Sequence, residues 1–362
     1  VVAEGWWDPY KPDLRHTLYS TSKSFTSTAV GFAVTEKLLS VNDRVVSFFP
    51  DQLPDTVSPY LEMMTVRDLL TMSAGQSPDP TGAVTNSCSE WVKGFLATPV
   101  VKEPGTEFLY NSLATFMLSA IVQKVTGEKI ADYLQPRLFG PLGIQGYDWE
   151  ESPDGINAGG WGLRVRTEDM AKFGLLYLQK GVWNGKQIIP AEWVEEATTF
   201  KIDQAPDEAP EVKAKNDWMQ GYCYQFWRSR NNAFRADGAF GQYIIVMSEK
   251  DAVVAITCES PDMQDEINLV WDHLLPALQD GPLPEDKESL ARLKERLTTL
   301  ALHMPADSPD SPLASQLSGK KFLPADNTND PGYFNALFNN DTCTLSMKTN
   351  GQEFKIPFGR GK

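Results

Sequence analysis

The residues best placed to do chemistry lie near the start of the chain. In "LYSTSKSFTSTAVGFAV", Ser20 stands three positions before Lys23, at the head of a long run of small and apolar residues. If that run is helical, the spacing sets hydroxyl and amine about one turn apart on one face. A serine at a helix start meets free N–H groups and the positive end of the helix dipole, which favour an anion. A lysine held against an apolar helix is partly desolvated, and its pKa falls toward that of a useful base. A nucleophile with its base is one reading of the pair. Ser20 as a helix cap with a solvated Lys23 is the other, and the pattern alone does not separate them. S-x-x-K recurs as Ser318-Gly-Lys-Lys321, in a polar stretch with no apolar helix behind it.

Two further stretches give the pair a context. "TEFLYNSLATFMLSAIVQKVTG" places Tyr110, Asn111 and Ser112 immediately before a second apolar helix, and "RADGAFGQYIIV" sets Ala236, Asp237 and Gly238 at the start of a strand. In this order the three stretches resemble the serine β-lactamase and penicillin-binding-protein superfamily. The likeness is to its class C β-lactamase-like branch, with family VIII carboxylesterases and D-alanyl-D-alanine carboxypeptidases. That superfamily carries S-x-x-K, then Y-x-N or Y-x-S, then a K-T-G-like triad on a sheet edge. "TVRDLLTMSAG", "EPGTEFLYNS", "VTGEKIADYLQPRLFGPLGI" and "GGWGLRVRTEDMAKFGLLYLQKG" extend the resemblance over residues 18–278.

The resemblance implies an α+β fold: an antiparallel sheet flanked by helices, a helical subdomain between residues 50 and 215, and an active site between them. It implies that Ser20 attacks an ester, amide or lactam carbonyl while Lys23 and Tyr110 share the general-base role. The backbone N–H groups of Ser20 and Ala239 would hold the oxyanion. Ser112, Ala236, Asp237 and Gly238 would lie beside a small-molecule substrate, with Trp161 in an acyl pocket and neither metal nor organic cofactor. Three departures matter. Only 19 residues precede Ser20, so the chain is expected to start inside the domain. Ser112 replaces the amide of Y-x-N. Ala236 stands where the family has Lys or His; by strand alternation position 236 is expected to face the site and Arg235 to face away. The cation that would meet a substrate carboxylate is then missing, which favours neutral esters or amides. A β-lactamase or D-alanyl-D-alanine carboxypeptidase is the alternative. A catalytically silent binding protein is a further one, against which the joint retention of Ser20, Lys23 and Tyr110 speaks.

The elements that must position these residues follow from periodicity. Residues 20–39 read as a helix apolar on nearly every side, which belongs inside a domain. Thr65 and Asp68 in "TVRDLL" form a capping-box start, and Thr167 is the expected cap of "TEDMAKFGLLYL". "GYCYQFW", "GQYIIVMS" and "DAVVAITCE" read as three strands of a meander, followed by a helix presenting Ile267, Val270, Leu274, Leu275 and Leu278 on one face. The Pro- and acid-rich "QDGPLPEDKES" marks a boundary. The expected organisation is a hydrolase domain over residues 1–278, a linker with a charged helix over 279–318, and a small, partial β-module over 319–362.

Composition excludes several classes. Forty-eight acidic against 33 basic residues give a net charge of −15, and no basic cluster offers a nucleic-acid surface. The apolar runs fall far short of the roughly 20 residues a membrane-spanning helix needs. There is no G-x-S-x-G elbow and no H-E-x-x-H, and the three histidines, His16, His273 and His303, fit no triad. Four scattered cysteines form no C-x-x-C; Cys223 and Cys258 read as small buried hydrophobes, and the set leans to a reducing, cytoplasmic compartment.

Overall fold

The structure, a computed structural model, describes residues 1–302, 311–323, 332–339, 342–349 and 352–359. It divides into two compact units, one of residues Tyr10–Ala291 and one of Val1–Pro9 with Arg292–Lys362.

In the larger unit, strand β1 (Arg15–Thr17) leads into a 3-10 turn (Tyr19–Thr21) and then helix α1 (Ser22–Thr35). Every residue of α1 from Ser22 to Ala33 is buried. Small side chains allow this close wrapping, and hydroxyls that would be costly to bury alone bind backbone carbonyls of other segments. Thr21 donates to Gln242 (2.8 Å), Ser24 to Gln225 (2.7 Å) and Thr26 to Gly159 (2.9 Å). Phe25 stacks on Phe173 with ring centroids 4.0 Å apart. The expected helix start at Ser20 is corrected: the α-helix begins two residues later, and Ser20 lies in the 3-10 turn, where no side chain caps the helix.

Helix α2 (Val66–Leu70) starts as expected, with the Thr65 hydroxyl accepting from the Asp68 N–H and the Asp68 carboxylate accepting from the Thr65 N–H. Helix α3 (Ser112–Thr126) is capped by Asn111, whose Oδ1 accepts from the Ala114 N–H (3.1 Å), and its residues Leu113–Val122 are buried. Strands β2 (Asp148–Trp149) and β3 (Leu163–Arg166) complete an antiparallel sheet of order β1-β3-β2. Helix α4 (Thr167–Leu178) follows directly. Its expected cap is corrected: Asp169 accepts from the Arg166 N–H, and the Thr167 hydroxyl bonds the Thr257 hydroxyl instead. A short hairpin, β4 (Val182–Trp183) and β5 (Lys186–Gln187), lies beyond.

The second sheet has the order β6-β7-β8-β9, made of Trp227–Arg228, Phe234–Gly238, Gln242–Met247 and Ala252–Ile256. Two of the three expected strands are β8 and β9. Of "GYCYQFW" only its last residue, Trp227, enters a strand, β6; before it Tyr222 makes single bridges, and Gln225 takes φ 64°. Its side chain draws the backbone inward, donating to the Leu69 and Leu70 carbonyls and accepting from the Thr115 hydroxyl (2.6 Å). The closing helix, α5 (Met263–Leu269), passes into a π-helical turn at Val270–Leu274. That change of period buries Ile267 and Val270 but leaves Leu274 exposed, against expectation. Cys223 is fully buried, whereas Cys258 is half-buried and its thiol donates to Glu266. A helix α6 (Lys287–Thr298) matches the expected charged helix.

In the smaller unit Asp8 pairs with the Leu300–Leu302 backbone. An antiparallel sheet of order β10-β11-β12-β13 is formed by Lys321–Phe322, Tyr333–Phe338, Thr342–Thr349 and Gln352–Gly359. The second S-x-x-K falls here: the Ser318 hydroxyl accepts from the Phe338 N–H (3.1 Å), in a turn and not before a buried helix.

Candidate active site

Lys23 is the hub of the site. It projects from the first turn of α1, 2% exposed, and its Nζ donates to Ser20 Oγ (2.9 Å), Ser112 Oγ (2.9 Å) and the Gly160 carbonyl (2.6 Å). Burial pulls its pKa down from 10.5 to about 7, while the charges of Asp79 and Asp237 resist that fall. A neutral amine keeps two N–H donors and offers its lone pair to a third partner. The Ser112 hydroxyl and Gly160 carbonyl can take the donors, and Ser20 can then give its proton to the lone pair.

Ser20 is held by the turn on either side. Tyr19 takes φ 46°, a left-handed conformation costly for a bulky residue, and Leu18 is fully buried. Gly238, at the end of β7, abuts this turn; a Cβ there would lie 2.3 Å from the Leu18 carbonyl oxygen, so only glycine lets strand and turn meet.

Tyr110 approaches from the loop before α3. Its ring stacks on Trp227 (5.5 Å) and sits 4.9 Å from Lys23 Nζ. Burial pushes the phenol above its usual range, and a hydrogen bond with Ser20 opposes the rise. At neutral pH the Tyr110 phenol is therefore protonated. Asn111 fixes this loop from both ends of its amide, capping α3 and donating from Nδ2 to Gln76 (2.9 Å). Ser112, the first residue of α3, thereby reaches Lys23.

The β7 residues lie differently from expectation. Ala236 is 1% exposed and belongs to the main core, on the strand face it shares with Phe234. Arg235 and Asp237 occupy the other face. The Arg235 guanidinium is wholly buried, 4.6 Å from the Trp218 ring and 5.7 Å from the Trp227 ring on which Tyr110 stacks. Gly238, on the same strand face as Ala236, abuts the turn that carries Ser20, while Arg235 was expected to turn away and instead lies beside Trp227, on which Tyr110 stacks. Arg235 is no free cation, however, because its Nε and Nη2 both meet Asp237 Oδ2, at 2.9 and 2.8 Å. Burial raises the Asp237 pKa, and Arg235 opposes that rise.

Ala239 lies just past the end of β7 and is half-buried; the carbonyl of Ala239 accepts from Gln242 Nε2 (3.2 Å). Trp161 is half-buried beside Trp91, ring centroids 5.6 Å apart. His16 pairs with Val165 between β1 and β3, and His273 is exposed; His303 lies outside the described residues. Among the described residues no cluster of His, Cys, Asp or Glu has the arrangement of a metal site, and no helix is long and apolar enough to cross a membrane.

Two residues near Lys23 escaped the sequence reading, and a third was misjudged. Gly160 accepts from Lys23, and a Cβ on it would lie 2.6 Å from the Ser112 carbonyl oxygen; the paired glycines of "GGWGL" were the available signal. Asp79, exposed, accepts from the Thr81 N–H and hydroxyl, and Thr81 Oγ1 in turn accepts from the Leu113 N–H, which places a carboxylate near the start of α3. Arg235 was seen and set aside on alternation alone.

Comparison with known proteins gives the family and the fold. The family model described as Beta-lactamase matches residues 1–276. A 6-aminohexanoate-dimer hydrolase of Paenarthrobacter ureafaciens is 26% identical over 281 residues, covering 72% of this chain and 70% of the relative. A Beta-lactamase of Escherichia coli is 23% identical over 186 residues, covering 45% of this chain and 48% of the relative. Among solved structures, the octameric penicillin-binding protein homologue from Pyrococcus abyssi shares the fold with a TM-score of 0.58 at 22% identity, covering 96% of this chain and 80% of the other.

Proposed function

The chain belongs to the Beta-lactamase family, whose members are hydrolases, and on that premise we propose that it is a serine hydrolase working through an acyl-enzyme on Ser20 and taking small neutral esters or amides. The observation that carries the reading is the buried Lys23 amine, 2.9 Å from Ser20 Oγ and drawn down to a pKa of about 7. A solvated lysine beside a helix cap would have neither property.

Ser20 gives its proton to Lys23 as Oγ bonds to the substrate carbonyl carbon. The N–H groups of Ser20 and Ala239 stabilise the oxyanion. Collapse breaks the bond to the leaving group, which takes the Tyr110 phenolic proton, and the Lys23 ammonium restores it. Water then attacks the acyl carbon, giving its proton to Lys23, and Ser20 departs with a proton. Lys23 is the stronger candidate base and Tyr110 the acid, because burial moves their pKa values toward those roles.

The preference for neutral substrates rests on charge. Arg235 is neutralised by Asp237, Lys23 is half-charged near pH 7, and Asp79 adds a carboxylate close by. Of these described residues none offers an unpaired cation to a substrate carboxylate, a contact worth roughly 1.5–3 kcal/mol. The test compares kcat/KM for p-nitrophenyl butyrate with that for a chromogenic cephalosporin. The ester should win by at least about tenfold, the low end of that contact. Equal turnover of the cephalosporin would show that another group receives the carboxylate and would overturn the substrate assignment.

A further inference from the structure

Tyr19 and Phe240 flank the two proposed oxyanion donors, and the catalytic steps use neither ring. Tyr19 immediately precedes Ser20, and Phe240 immediately follows Ala239. Both take left-handed backbone, φ 46° and 64°, which is unfavourable for a bulky aromatic residue and persists only where the surroundings enforce it. The two turns are locked to each other. Beyond the close approach of Gly238 to the Leu18 carbonyl, the Thr21 hydroxyl donates to the Gln242 carbonyl (2.8 Å), and Gln242 Nε2 donates to the Ala239 carbonyl (3.2 Å). Gln242 thus ties the turn before α1 to the turn after β7. The Ser260 N–H holds the Phe240 carbonyl (3.0 Å), and a Cβ on Gly241, φ 95°, would lie 2.0 Å from Glu266 Oε2. The rings that these turns carry meet edge to face, centroids 5.4 Å apart, with Phe240 41% exposed and Tyr19 half-buried.

We infer that the Tyr19–Phe240 ring pair is the acyl-binding wall of the site and selects substrates with an apolar acyl chain. This deepens the proposed function and rests on the Ser20 acyl-enzyme. The carbonyl carbon that Ser20 attacks carries two substituents, the leaving group and the acyl chain. The leaving group belongs beside Tyr110, which gives it a proton, and the Tyr110 ring packs with Tyr222 and Trp227. Among the described residues Tyr19 and Phe240 meet each other and no further ring, so they make no ring contact with that cluster. They adjoin instead the N–H groups proposed to hold the carbonyl oxygen, on which side the acyl chain remains to be placed. An alkyl chain laid against the pair leaves water and covers the exposed surface of Phe240. Glycine or asparagine at position 240 would meet the backbone's demand with less strain, but neither would supply a wall.

The test measures kcat/KM for p-nitrophenyl acetate, butyrate and hexanoate in wild type, Phe240→Gly and Phe240→Leu. Glycine suits φ 64° and removes the ring while leaving the turn its conformation. In wild type each added methylene should raise kcat/KM by about two- to fourfold, the upper figure being that of full burial. Phe240→Gly should cut the hexanoate-to-acetate ratio by at least about tenfold, and Phe240→Leu, still apolar, should keep most of it. If Phe240→Gly does not melt cooperatively, Phe240→Asn, which also tolerates left-handed backbone, carries the comparison. A ratio unmoved in the folded variant would overturn the wall. So would a loss seen in Trp161→Ala and not in Phe240→Gly, which would set the acyl chain against Trp161. Acetate esters of varied alcohols separate the two sides of the carbonyl: a Phe240→Gly effect confined to that series would put the leaving group on the ring pair and overturn the acyl assignment. Turnover that survives Ser20→Ala would refute the acyl-enzyme itself, whatever the ratio does.

Discussion

Lys23→Met replaces the buried amine with an apolar chain of similar length and removes one titration. The lysine pKa falls from 10.5 in the unfolded chain to about 7 in the folded one. Between those values the folded protein binds fewer protons than the unfolded, so stability rises with pH across the window and the contribution is constant outside it. Each pH unit is worth about 1.4 kcal/mol, hence about 5 kcal/mol over the whole window and about 2 kcal/mol between pH 7.5 and 9. Other groups titrate alike in both proteins and cancel in the difference. Urea unfolding of wild type and Lys23→Met at pH 6, 7.5 and 9 reads it. The wild type should gain about 2 kcal/mol on the variant from pH 7.5 to 9. Curves whose separation stays constant within about 0.5 kcal/mol would show that Lys23 is charged and solvated, and the base would be lost with it.

Tyr110→Phe should lower kcat by about two to four orders of magnitude, the scale of a positioned acid or base; a near-normal rate would return the ring to its packing role against Trp227. Gly160→Ala should lower both activity and stability, by about 1–3 kcal/mol in chemical denaturation, because the added Cβ meets the Ser112 carbonyl at 2.6 Å. An unaffected Gly160→Ala enzyme would mean that the Lys23–Gly160 contact does not order the site.

Much of this arrangement was legible in the sequence where one local rule acted alone. The Thr65–Asp68 box, strands β8 and β9 and the buried cylinder of α1 follow from spacing and period. The misreadings share a cause, which is tertiary contact overriding a local pattern. "GYCYQFW" has the composition of a strand, but Gln225 turns inward to bond α2 and α3. Leu274 fits a helical stripe until the π-helical turn shifts the phase. Alternation sorted Arg235 and Ala236 onto opposite faces, yet it could not say which face carries Tyr110 and Trp227, since those rings arrive from distant segments. Gly160 carried no side-chain signal at all, because its role is a carbonyl and an absent Cβ.

The central claim is that Ser20 is the nucleophile. The direct measurement is intact-mass and peptide mass spectrometry after exposure to a p-nitrophenyl phosphonate, for wild type, Ser20→Ala and Lys23→Met. A single adduct on Ser20 is expected in wild type, none in Ser20→Ala, and labelling slowed by about a hundredfold or more in Lys23→Met. An adduct that survives Ser20→Ala, or one that maps to Ser318, would contradict the account.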